Sequence, residues 1–138
     1  MISKFDLAKA LRDHAKLVAI SEGITLISID DPEGYNPDPN TPYLEEMVLF
    51  GPDRPIGIAD ASRDLQVGVY QININRPKTE AKWVGLRLAD TISIAFKKGT
   101  ELTYNGQMVR MREQELRPML VNATHKTFIL SIVFTVIN

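Results

Sequence analysis

"QVGVYQININRPKTEAKWVGLRLADTISIAF", residues 66–96, changes its hydrophobic period in the middle. Before the break at Arg76-Pro77-Lys78 the side chains alternate, with Tyr70, Ile72 and Ile74 on one side and Val67, Val69, Gln71, Asn73 and Asn75 on the other. A period of two predicts a strand over Leu65–Asn75, one face core and the other half polar. After the break Ala81, Val84, Gly85, Leu88, Ala89, Ile92, Ala95 and Phe96 fall on one helical stripe. Thr79 is the expected N-cap, with Glu80 in the first turn where the helix dipole favours a negative charge. Lys97, Lys98 and Gly99 supply the usual stop. A helix of about 18 residues would run roughly 27 Å, enough to cross a small sheet. Trp83 and Leu86 lie off the stripe, which fits either a wide core-facing surface or a subunit contact.

On the N-terminal side, Leu7, Ala8, Leu11, Ala15 and Val18 recur at helical spacing, with Lys9, Arg12, Asp13 and Lys16 opposite. A surface helix over Phe5–Val18 follows, capped by Ser3 or Asp6 and ended by Gly23. Thr25–Asp30 and Tyr43–Phe50 are strand candidates. Between them, "DDPEGYNPDPNTP" is too rich in proline, glycine and asparagine for a regular element, so residues 31–42 are expected to form a proline-rich loop. The segment 51–64 reads as a second irregular stretch, whose Asp53, Arg54, Asp60, Arg63 and Asp64 are candidate partner contacts or simply solvated charges.

On the C-terminal side, Asn105-Gly106 between two alternating runs marks a hairpin. "EQELRPMLVNATHK" reads as a polar connection around Pro118. The closing strand, Thr127–Asn138, puts Phe128, Leu130, Ile132, Phe134 and Val136 on one face. Its other face carries Thr127, Ile129, Ser131, Val133, Thr135 and Ile137. Two apolar faces imply a central strand with cover on both sides or one partly buried in an assembly, which makes Ile129 and Val133 candidate interface residues.

The whole chain of 138 residues, 44% hydrophobic and 24% charged, suits a single globular domain that needs no metal or disulfide for stability. It contains no cysteine, which excludes a thiol nucleophile, a disulfide framework and thiolate-bound zinc. The formal net charge of −1 announces no nucleic-acid binding. The N-terminal residues lack a signal-peptide h-region, and no run reaches the ~20 apolar residues of a membrane span. His14, on the polar side of the first helix, and His125, in a loop, are expected at the surface. Asp30-Asp31 and Glu45-Glu46 are adjacent carboxylates, but neighbours on a strand point to opposite faces, so a shared acid/base or cation site is not expected. No phosphate-binding, dinucleotide-binding or metalloprotease motif is present. A small-molecule site is the rival from another class, formed by Tyr70, Asn73, Asn75 and His125 between the second helix and the sheet.

The order of elements, together with "PYLEEMVLF", "GVYQININRP", "TEAKWVGLRLADTISIAF", "YNGQMVRM" and "FILSIVFTVIN", resembles the tail terminator, or tail completion, proteins of long-tailed bacteriophages over about residues 4–138. The resemblance implies an α+β fold whose mixed, mainly antiparallel sheet of about four to six strands is flanked by two helices. It implies a structural virion protein without cofactor or catalysis. Such a protein forms a homo-oligomeric, hexameric ring on the head-proximal end of the tail, after assembly in the host cytoplasm. Its partners would be the major tail tube protein and a head-tail connector protein, with DNA passing non-specifically through the lumen. The resemblance also places tube or ring contacts in loops and at sheet edges. A head-completion or connector protein of the same virion is the neighbouring alternative.

Overall fold

The computed structural model describes residues 3–28, 38–51, 54–56 and 63–137, with only the backbone of 54–56, 63–64 and 137. Its first element, α1 (Lys4–Glu22), begins where the Ser3 hydroxyl accepts the Asp6 N–H, 3.2 Å. It ends where Gly23 turns left-handed at φ 65° and its N–H reaches the Ala19 and Ile20 carbonyls. Leu7, Ala10, Leu11, Ala15 and Ala19 form the buried stripe.

The strands are β1 (Thr25–Ser28), β2 (Tyr43–Phe50), β3 (Arg54–Ile56), β4 (Arg63–Pro77), β5 (Glu101–Tyr104), β6 (Gln107–Leu116), β7 (Leu120–Val121) and β8 (His125–Ile137). They form one sheet ordered β1-β2-β4-β8-β6-β5, with β3 beside β4 and β7 beside β8. Among the described residues, only the β1–β2 pair is parallel. The spine is the ladder of β4 and β8, which holds register from Leu65 opposite Ile137 to Pro77 opposite His125. The hairpin between β5 and β6 turns at Asn105 and Gly106, both at positive φ, as the Asn-Gly pair predicts. A bulge between Met111 and Gln114 interrupts the β6–β8 register.

Register fixes which side is core. Leu44, Ile74 and Phe128 stand side by side, as do Glu46, Ile72 and Leu130, then Val48, Tyr70 and Ile132. Both helices cover this one face. Arg12 of α1 reaches Glu46, while the buried Gly85 of α2 (Lys82–Ala95) lies against the Phe128 ring. Phe96, fully buried, meets His14 of α1 and Tyr70 of the sheet. Among the described residues, no element lies over the opposite face. Among the described residues, β8 is thus central in the sheet with helices on one side alone.

Several expectations are corrected. α2 starts two residues late: Ala81 is its N-cap and offers no side-chain bond, and the helix spans 14 residues, roughly 21 Å. Glu80 is instead held outside the helix by a double hydrogen bond from Arg76, at 2.9 and 3.0 Å. The stretch 51–64 is not wholly irregular, because residues 54–56 pair with 63–65. His125 is not a surface histidine. It opens β8 at 1% exposure, bonds the Thr41 carbonyl and the Thr124 hydroxyl, and meets Tyr43 edge-on. His14 is half-buried, its ring nitrogen 2.8 Å from the Ala95 carbonyl. The segment around Pro118 is no simple polar connection, since it contains β7 and extends the ladder on β8.

Candidate assembly surface

The uncovered face of the sheet is built from the odd-numbered residues of β2, β4 and β8. Leu49, Val69 and Val133 are neighbours across three strands, and Val67 lies next to Thr135. Around them opens an apolar cavity of ≈ 530 Å³ lined by Leu49, Phe50, Gly51, Val67, Gly68, Val69 and Val133. Behind the depression, on the helix-covered face, an added Cβ at Gly68 would stand 2.4 Å from Phe134 and 2.6 Å from the Leu49 carbonyl oxygen. No side chain fits between β2 and β8 at that point.

Further along the same face the surface turns polar and satisfies itself. Asn75 donates to Glu45 at 2.8 Å and accepts from the Thr127 hydroxyl at 2.7 Å, while Gln71 donates to Asn73 at 3.0 Å. Ser131, opposite Gln71, is the exception: it is buried and its hydroxyl has no partner.

The helical side offers separate apolar points. Trp83 is 67% exposed, with the Lys82 ammonium 5.5 Å from its ring centroid, whereas Leu86 packs on the core. The two off-stripe residues thus divide, one outward and one inward. Ile94 of α2 and Phe5, Leu17 and Ile20 of α1 are also largely exposed. Between α1 and β2 runs a groove of ≈ 320 Å³ with Phe5, Val48 and Phe50 on its walls. Its floor holds a polar triad in which Arg12 donates to Glu46 at 2.8 Å and to the Ser28 hydroxyl, and Ser28 donates to Glu46. Tyr70 lies nearby, fully buried, its hydroxyl facing the Glu46 carboxylate. Burial first and the Glu46 charge second hold this phenol well above its ordinary range.

Sequence reasoning missed one feature. Residues 115–123 are exposed without a break. Within that run Leu116, Met119, Leu120 and Val121 form an apolar projection at the corner where β7 meets β8. It is firmly held. Leu120 pairs with Thr127, Val121 with Lys126, the Arg117 N–H reaches the Ile129 carbonyl, and Asn122 Oδ1 accepts from the N–H groups of Thr124 and His125. The available signal was the apolar run after Pro118, outweighed by charges before it.

Of the other candidates, Ile129 and Val133 both lie half-buried on the uncovered face. Arg54 pairs with Leu65, Asp64 with Pro55 and Arg63 with Ile56 through the backbone, while Asp53 and Asp60 lie outside the described residues, as do Asp30 and Asp31. Glu45 and Glu46 point to opposite faces as expected. The four residues of the small-molecule alternative do not converge: Tyr70 is under the helices, whereas Asn73 and Asn75 belong to the other face. No cluster of three potential metal-ligating side chains occurs among the described residues.

The comparison that decides the identity is with protein families, where the model described as phage tail terminator protein matches residues 6–132. The chain belongs to the phage tail terminator family. It is therefore a structural protein of the phage tail, in a family whose members associate with other tail components of the virion. A solved structure whose name carries no functional term superposes with a TM-score of 0.77, covering 99% of this chain and 96% of its own. At 16% identity that likeness shows a shared fold alone. No curated protein matches.

Proposed function

We propose that this tail terminator closes into a hexameric ring on the head-proximal end of the tail tube, stops polymerisation there and presents the surface to which the head joins. The observation that carries the reading is the placement of both helices on one face of the sheet, leaving Leu49, Val69 and Val133 as an apolar patch on the other. Contiguous apolar surface on a sheet mostly ends in a protein contact. A ring needs a stiff subunit whose contact surfaces differ, so that each copy meets the next head-to-tail and the rotation closes. The long β4–β8 ladder, backed by α2, supplies the stiffness.

The ring's partners are the tail tube protein on one side and a head-tail connector on the other, with DNA threading the lumen unread. Exposed Trp83 and the strand pair containing Arg54, Arg63 and Asp64 are candidate tube or ring contacts. A net charge of −1 supplies no overall positive excess to hold phosphates.

Analytical ultracentrifugation across concentration and salt, followed by negative-stain imaging with and without assembled tubes, tests the proposal. Hexamers, or monomers that cap tube ends at a fixed length, are the expected result. A monomer indifferent to tubes overturns it.

A further inference from the structure

The turn between β5 and β6 brings together the groups of a reaction that the chain can carry out on itself. Asn105 precedes Gly106, and no other asparagine in the sequence is followed by glycine. Both residues are exposed, and a Cβ added at Gly106 meets nothing within 4 Å, so the space beside the turn is open. The Gly106 N–H enters no backbone hydrogen bond. The Asn105 side chain is free as well, whereas Asn73 accepts from Gln71, Asn75 bonds Glu45 and Thr127, and Asn122 accepts from Thr124 and His125. The Asn40 side chain is equally unbonded, but the branched Thr41 follows it.

We propose that Asn105 is a site of spontaneous deamidation in the folded chain, gated by opening of the β5–β6 turn. The Gly106 nitrogen loses its proton to solvent base and attacks Asn105 Cγ. The new C–N bond closes a five-membered succinimide, and the side-chain nitrogen leaves as ammonia. Water then opens the ring, at Cγ to give aspartate or at the main-chain carbonyl to give isoaspartate. Glycine at the second position leaves the attacking nitrogen uncrowded. The turn itself is the gate. Positive φ at both residues, 52° and 79°, marks a type I′ turn. Its first central residue has ψ of roughly +30°, which sets the Gly106 nitrogen almost opposite Cβ across the Cα–C bond, out of reach of Cγ. Attack therefore waits until ψ swings round by roughly half a turn. That opening breaks little, because β5 is the last strand of the sheet and holds β6 through four residue pairs. A structural protein of the tail is not replaced once the particle is built, so the change accumulates. Isoaspartate adds one carbon to the main chain of the turn, which then no longer fits the Tyr104–Gln107 pair. Gln107 is also the residue whose side chain accepts the Ser3 N–H at the start of α1, 3.2 Å.

The test incubates the full chain in mildly alkaline buffer, folded and, in parallel, unfolded in urea, and follows each asparagine by peptide mapping with mass spectrometry. In the folded chain the mass gain of amide-to-acid exchange is expected in the Asn105 peptide ahead of every other, with aspartate and isoaspartate as separate products. Urea should speed it several-fold, since the gate is then gone. Asn105→Gly keeps a Gly-Gly pair suited to the same turn and should abolish the gain in that peptide. A folded chain whose Asn105 stays intact while the unfolded chain converts overturns the site, as does conversion at Asn40 at the same rate as at Asn105. Equal rates in buffer and in urea overturn the gate. None of these outcomes depends on whether the chain forms rings.

Discussion

Phe128 lies where a side chain at position 85 would have to be. A Cβ built on Gly85 stands 2.1 Å from Phe128 Cε2, and the ring is itself buried between α2 and the sheet. This contact sets how closely the second helix sits on the β4–β8 spine. Gly85→Ala gains about 1 kcal/mol of helix propensity but forces the ring to move, at about 1–3 kcal/mol. The expected outcome is a net loss of stability in urea titrations, recovered in part by adding Phe128→Leu.

The Arg12–Glu46 pair is asymmetric, because Glu46 is buried whereas Arg12 is about one third exposed. Arg12→Ala leaves a buried carboxylate without its counter-charge and is expected to cost about 2–3 kcal/mol, below the full range for a buried pair because water reaches the arginine. Glu46→Gln keeps an acceptor and removes the charge, so it costs less. Chemical denaturation of the two variants side by side decides the order.

Tyr70→Phe removes a buried hydroxyl whose polar neighbour is the Glu46 carboxylate, so stability at neutral pH should change by less than about 1 kcal/mol. The alkaline limb gives a second reading. The phenol's folded pKa is raised above the ordinary 10.0, so its contribution is complete below about pH 10 and is lost as pH climbs through the folded value. The variant should show a shallower decline in melting temperature above pH 10 than the unaltered chain.

His125→Ala removes two hydrogen bonds and an edge-on ring contact from a fully enclosed position. A loss of about 2–4 kcal/mol is expected, with the Thr41 carbonyl left unsatisfied. A change under about 0.5 kcal/mol, typical of exposed sites, would return His125 to the surface.

Trp83 is the chain's single tryptophan and is exposed, so it reports on contact without an added label. Trp83→Phe should leave monomer stability within about 0.5 kcal/mol. If Trp83 enters the ring or tube interface, its emission shifts to shorter wavelength on assembly; an unchanged spectrum places it on the outer surface.

Local patterns carried much of the fold. The two-residue period of Tyr70, Ile72 and Ile74, the helical stripe from Gly85 to Phe96, the Ser3 and Gly23 caps and the Asn105-Gly106 turn each depend on neighbours within a few positions, and all stand where the chain's own chemistry puts them. The order of those elements also carried the family. Where the reading failed, distant residues intervened: Arg76 draws Glu80 out of the helix start, and β8 pairs with Leu120 and Val121 to turn an apparent connection into a strand. His125 looked like a loop histidine because the Thr41 carbonyl that encloses it lies 84 positions away.

The sequence by itself determined that β8 has two apolar faces, since alternation along a strand is a local fact. Only the tertiary structure decided that both helices take the same face, leaving the Leu49–Val69–Val133 depression bare and setting the Leu120 projection at the far corner. The reason is physical. A strand's period states that two faces differ, but which face a helix covers depends on long-range packing, through contacts such as Gly85–Phe128 and Arg12–Glu46 that no local pattern encodes.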